Sequence, residues 1–144
     1  MKFYFPDVNV WVALAYSRHV HHRSAAFWFN SLEGEIAYFC RITQLGFLRL
    51  MTQPAVMGSD TKTPTEAWGI YDLILSDERV SFRAEPESVL LESDFRRLTT
   101  KPQFSSKDWP DAYLATFAET ADVILVTFDR ALHQMNGGKS LLLN

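Results

Sequence analysis

Three aspartates, each set where a helix is expected to begin, carry the chemistry this sequence offers. Asp7 follows the apolar run Lys2–Pro6, Asp129 follows the β-branched run Val123–Phe128, and Asp111 opens the segment DAYLATFAETA. In a parallel sheet, residues that follow two strands emerge at one edge, so Asp7 and Asp129 are expected to share a rim. The helix bearing Asp111 precedes Val123–Phe128 and must run antiparallel to it, which brings its N-terminal turn to the same edge. Gln44, in the first turn after Glu35–Cys40, lands there by the same topology. No Lys or Arg is placed by the sequence to neutralise Asp111, and like charges gathered without an ion repel one another and favour protonation. A divalent cation shared by Asp7, Asp111 and Asp129 removes that repulsion. All-oxygen donors suit Mg²⁺ or Mn²⁺ better than Zn²⁺, which calls for His or Cys. The chemistry is then attack by a metal-bound water on a phosphodiester, with the cation also stabilising charge on the leaving oxygen.

Each aspartate is equally a favoured helix cap, and taken singly three caps account for all of them. Asp111 separates the two possibilities. Asp108 is placed to cap that helix, with Pro110 in the first turn where its missing N–H costs nothing. Asp111 then continues the stripe Leu114, Ala115 and Ala118, so its carboxylate is expected on the core-facing side, where it needs a partner. Asn9, two residues beyond Asp7, either orients that carboxylate or a metal-bound water, or is simply a polar first-turn residue.

The elements that must position these groups alternate. Lys2–Pro6 runs as a strand into a helix over Val8–Tyr16. A helix over His22–Leu32, a strand over Glu35–Cys40 and a helix over Thr43–Met51 capped by Thr43 follow. The polar stretch Thr52–Thr65 is expected to connect helices. Beyond it come a helix over Thr65–Leu75, a short strand over Val80–Arg83, a helix over Pro86–Leu98, the helix Asp108–Ala121, the strand Val123–Phe128, a helix starting at Asp129, and an edge strand within Lys139–Leu143. Strands and helices in alternation with short connections imply an α/β fold, a three-layer α/β/α sandwich around a parallel sheet.

Composition bounds the function. The 144 residues suit one domain over 1–144, and 47% hydrophobic side chains suffice for a sizeable core, which disfavours disorder. With 14 basic against 17 acidic side chains the net charge is −3, so any binding of nucleic acid must be local rather than bulk electrostatics. The lone Cys40 forms no internal disulfide and fits a reducing, cytoplasmic setting. The apolar run Phe3–Ala15 is interrupted by Asp7 and Asn9 and is too short to span a bilayer.

Other residues offer weaker signals. His19, His21 and His22 precede a helix and are better suited to cap or surface roles than to zinc. Arg41 and Arg130, beside the expected site, could meet substrate phosphates, as could Lys101 and Lys107, although solvation is the commoner fate of such charges. Trp11, Trp28, Phe27, Phe29 and Phe47 fit a core or a protein interface better than base stacking.

The segments FPDVNVWVALAYSRHVHH, CRITQLGFLRLMT, DAYLATFAE and VILVTFDR, in this order across most of the chain, resemble PIN-domain proteins of the VapC toxin type. That resemblance implies a PIN-like fold and a Mg²⁺- or Mn²⁺-dependent endoribonuclease that cleaves RNA, is held inactive by a small VapB-like antitoxin and is often a homodimer. It carries the family's acids onto Asp7, Asp111 and Asp129, and the hydroxyl of the late strand onto Thr127. One position departs: the family's Glu after the second strand is replaced here by Gln44. An amide accepts hydrogen bonds but brings no charge and is a poor general base.

Two other functions compete with the nuclease. A PIN-like module that binds antitoxin or RNA without cutting is motivated by Gln44. An aspartyl phosphotransferase or receiver domain using Asp7 as nucleophile fits poorly, because Asn9 stands where a phosphatase wants a second Asp and no late strand-end Lys is evident.

Overall fold

The computed structural model describes residues 2–144. Among them the chain runs β1 (Phe3–Pro6), α1 (Val8–Ala15), α2 (His22–Asn30), β2 (Ile36–Phe39), α3 (Arg41–Met51), α4 (Pro54–Met57), α5 (Pro64–Leu75), β3 (Val80–Phe82), α6 (Val89–Thr99), α7 (Trp109–Ala121), β4 (Ile124–Thr127), α8 (Arg130–Met135) and β5 (Leu141–Leu142). All strand pairs are parallel, in the order β3-β2-β1-β4-β5. The chain winds outward from β1 through β2 to β3, then returns to add β4 on the other flank. The order therefore reverses between β1 and β4, where open α/β sheets form their ligand crevices.

Alternation along the central strands builds a core on each face. Tyr4 and Val126 point to the side covered by α1, α2, α3 and α5, whereas Phe5 and Leu125 point to the side covered by α7 and α8. Trp11 stacks on Phe39 at 3.9 Å between ring centroids on the first side, and Phe5 stacks on Phe117 at 4.5 Å on the second. Each aromatic pair adds about 0.5–1.5 kcal/mol beyond the area it buries. The three-layer sandwich is thus the one expected, and among the described residues no helix is long and apolar enough to cross a membrane.

Several boundaries differ from expectation. The third helix begins at Arg41, not after Thr43; Thr43 is buried in its first turn, where Oγ1 accepts the Cys40 N–H at 2.9 Å and donates to the Cys40 carbonyl. The hydroxyl reaches back to close the helix start instead of capping from outside. The connection after Met51 contains α4 and a 3₁₀ turn over Gly58–Asp60. Helix α6 starts at Val89 and not at Pro86, because Ser88 caps it, accepting the Leu90 N–H.

Gly46 lets α3 lie against the start of α1. A Cβ there would sit 2.5 Å from one Val8 methyl and 3.1 Å from the other, both on a β-branched side chain with little room to rotate. Gly46→Ala is expected to cost about 1–3 kcal/mol. Because Val8 follows Asp7, the variant should also weaken the site below, which thermal melts and cleavage assays on one preparation would register together.

Candidate metal and phosphodiester site

Asp7 emerges from β1 at the reversal point, and its backbone N–H still pairs with the Val126 carbonyl of β4 at 2.9 Å. It caps α1, accepting the Val10 N–H on Oδ1 at 3.1 Å. Its other oxygen accepts the Thr127 hydroxyl at 2.5 Å. Thr127, fully buried at the end of β4, in turn accepts the Asp129 N–H at 2.9 Å. One hydroxyl thus ties the buried carboxylate of β1 to the backbone that presents the second acid.

Asp129 caps α8, its Oδ1 accepting the N–H groups of Ala131 and Leu132. Capping and site-building are therefore not alternatives here, since each carboxylate satisfies a helix start and still has acceptor capacity left. Asp111, half-buried in the first turn of α7, has no hydrogen-bond partner among the described residues. Asp108 does not cap α7 as expected. A 3₁₀ turn over Ser106–Asp108 feeds directly into the helix, leaving Asp108 at φ −95°, ψ 1° instead of the extended N-cap shape, and its carboxylate makes no capping bond.

The three aspartates feel one another. Burial pushes the Asp7 carboxyl up to about 6, against the opposing pull of its Thr127 and Val10 hydrogen bonds, and the charges of Asp111 and Asp129 push the same way. Burial, Asp129 and Asp108 raise Asp111. No basic side chain figures among the influences on either group. Among the described residues, however, no three His, Cys, Asp or Glu side chains stand close enough to cage an ion directly. The carboxylates line a shared rim and do not form a closed cage. That arrangement fits Mg²⁺, which keeps several waters and takes one or two carboxylates, and it does not fit an ion that requires a full protein ligand set. The uncompensated negative charge and the spare oxygens of Asp111 and Asp129 are what such a hydrated ion would use.

The remaining candidates lie around this rim. Gln44 is buried, but its Oε1 accepts from Arg41 Nη1 at 2.6 Å, so the amide oxygen serves an arginine. Asn9 and Arg130 are exposed, flanking Asp7 and Asp129. The histidines are structural: His22 donates to the Ala13 carbonyl at 2.7 Å, His19 Nδ1 accepts the His21 N–H, and His21 stacks on Phe128. Arg83, not among the expected site residues, follows β3 at the same sheet edge and lies over the Tyr38 ring. Its place just past a strand end was the available signal.

Against known proteins, the family model of the PIN domain matches residues 4–138. Ribonuclease VapC41 of Mycobacterium tuberculosis is 41% identical over 136 residues, covering 91% of this chain and 92% of that protein. Ribonuclease VapC38 of the same organism is 33% identical over 129 residues, covering 85% and 82% respectively. Among solved structures, VapBC2 from Rickettsia felis bound to a DNA fragment from its promoter superposes with a TM-score of 0.68 at 15% identity, covering 97% of this chain and 96% of that one.

Proposed function

Since the chain belongs to the PIN-domain family, we propose that it is a VapC-type endoribonuclease toxin, hydrolysing RNA phosphodiesters at the Asp7–Asp111–Asp129 rim with Mg²⁺ or Mn²⁺. The observation that carries this is the Thr127 hydroxyl joining buried Asp7 to Asp129 at the strand-order reversal, in a chain 41% identical to a ribonuclease. The proposed partner is a small VapB-like antitoxin, in keeping with the VapBC complex whose fold this chain shares. A homodimer acting in the cytoplasm completes the proposal.

When bound, a divalent cation lowers the pKa of a coordinated water and offsets charge on the phosphoryl oxygens. The chain's own residues do the rest. Thr127 fixes the Asp7 carboxylate so that its spare lone pairs face the rim, while the α1 cap keeps the other oxygen occupied. Asp129, anchored by two N–H groups on Oδ1, keeps Oδ2 free and would use it to hold the cation. Asp111, without a partner and with its proton affinity raised, is the group best suited to take a proton from the attacking water. A short single-stranded RNA incubated with the chain and Mg²⁺ or Mn²⁺ should be cut, and a chelator should stop the cutting.

Gln44 favours one alternative, a PIN-like module that binds antitoxin or RNA and cuts weakly or not at all. Its oxygen already serves Arg41, so it brings no charge and only one remaining lone pair to the rim. Gln44→Glu separates the two. If the aspartates suffice, wild type cleaves and Gln44→Glu changes the rate by less than about tenfold. A silent wild type with a cutting Gln44→Glu variant would establish the weaker module.

A further inference from the structure

The sheet edge continues beyond the aspartates, across the ends of β2 and β3, into a cleft of about 190 Å³. Arg41 of α3, Phe82 and Arg83 at the end of β3, Glu85 and Tyr113 of α7 form its walls. Both guanidinium groups lie on aromatic rings, Arg41 at 4.9 Å from the Phe82 centroid and Arg83 at 5.3 Å from that of Tyr38. The Arg83 backbone is pinned to the sheet, its N–H donating to the Phe39 carbonyl at 2.7 Å. Cys40, which also lines the cleft, follows β2, the neighbour of the β1 strand that Asp7 follows, so the cleft opens along the same sheet edge as the rim.

The charge in this cleft is unbalanced. Arg18, Arg79, Arg96 and Arg97 each pair with a carboxylate, whereas among the described residues neither Arg41 nor Arg83 has one within 4.0 Å. Arg41 bonds only the neutral Gln44 amide. Glu85, the one acid on the walls, already accepts the Tyr113 hydroxyl at 2.6 Å. Two unpaired forks, preorganised on rings and flanking a cavity, suit a phosphate, and the adjoining Tyr113 ring and Glu85 carboxylate offer a flat face and an acceptor to a base.

We propose that this cleft is the subsite for one unpaired ribonucleotide adjoining the cut phosphodiester, with Arg41 and Arg83 clamping its phosphate. The inference rests on the nuclease assignment for RNA as the ligand. It also gives a negatively charged chain the local basic surface it needs to hold a polyanion.

Fluorescence anisotropy of a labelled single-stranded oligoribonucleotide, with Asp111→Asn in every protein so that the RNA stays whole, reads the clamp directly. Adding Arg83→Ala or Arg41→Ala should raise Kd about tenfold and reduce the slope of log K against log salt by about 0.7 for each phosphate no longer neutralised. Arg83→Lys should recover the slope but not the full affinity, because an ammonium keeps the charge and loses the fork. Arg97→Ala, which removes an arginine already paired with Asp94, controls for general charge loss and should move neither quantity beyond about twofold. In the chain with Asp111 intact, Arg83→Ala should raise KM while kcat stays within about twofold. If Kd and salt slope are unchanged in both alanine variants, the clamp is overturned, whether or not the chain cuts. If the clamp responds as expected but the wild type cuts no RNA, the subsite stands and the nuclease assignment falls.

Discussion

Asp111→Asn is expected to lower metal-dependent RNA cleavage by about a hundredfold or more with the fold intact. Asparagine preserves the shape of the side chain and removes only its charge. Asp111 makes no protein hydrogen bond to lose, and its neighbours Asp129 and Asp108 repel it, so the metal-free protein should be no less stable than wild type. The loss should fall on kcat, since the RNA contacts proposed at Arg41 and Arg83 are untouched. Cleavage within about threefold of wild type would mean that another group takes the proton from water.

The second large effect is on Asp7, where function and stability are expected to move in opposite directions. Its folded pKa, at about 6, lies above the value near 3.8 of a free carboxyl, so the folded state holds this proton more tightly than the unfolded chain. The stability contributed by that proton is complete below about pH 4 and is lost as pH rises through about 6. At neutral pH without metal, the buried ionised Asp7 is therefore a cost. Asp7→Asn should raise metal-free stability above pH 7 by roughly 1–3 kcal/mol, with the gain vanishing towards pH 4. The asparagine oxygen still accepts from Val10, while its NH2 replaces the oxygen that accepted from Thr127 and donates to that hydroxyl once the hydroxyl has turned. Adding Mg²⁺ or Mn²⁺ should raise the melting temperature of wild type and leave Asp7→Asn largely unmoved, and cleavage by wild type should fall as pH drops below about 6, where protons compete for the carboxylate. Paired thermal melts across pH, with and without the cation, measure both. An Asp7→Asn variant less stable than wild type at pH 8 would contradict the assignment of Asp7 as an uncompensated buried charge.

How much of this was legible in the sequence depended on whether a feature was local or tertiary. The order of apolar runs was enough for the parallel sheet and for Asp7 and Asp129 at one edge, because strand-end position follows from topology alone. The two explanations offered for those aspartates, cap or site, proved compatible, since a carboxylate has two oxygens and Asp7 uses one for Val10 and the other for Thr127. The start of α3 was not legible, because Thr43 carries the residue type of a cap but bonds backward from inside the helix. Asp108 misled for the converse reason, its backbone being held near-helical by the preceding turn. The cleft of Arg41, Arg83 and Tyr113 was illegible as a unit. It exists only because the tertiary fold sets Tyr113 of α7 against the residues at the ends of β2 and β3, bringing together residues whose separate contexts, a helix start, a strand end and an aromatic position, carry no common pattern.

Manganese anomalous scattering from crystals soaked near pH 7.5, where Asp7 is ionised, tests the central claim most directly. A peak is expected at the end of β1 and β4, with an Asp7 oxygen and at least one oxygen of Asp111 or Asp129 about 2.1–2.2 Å away and waters completing an octahedron. A saturating soak that leaves this rim without a peak, or one that puts manganese on other residues, would contradict it.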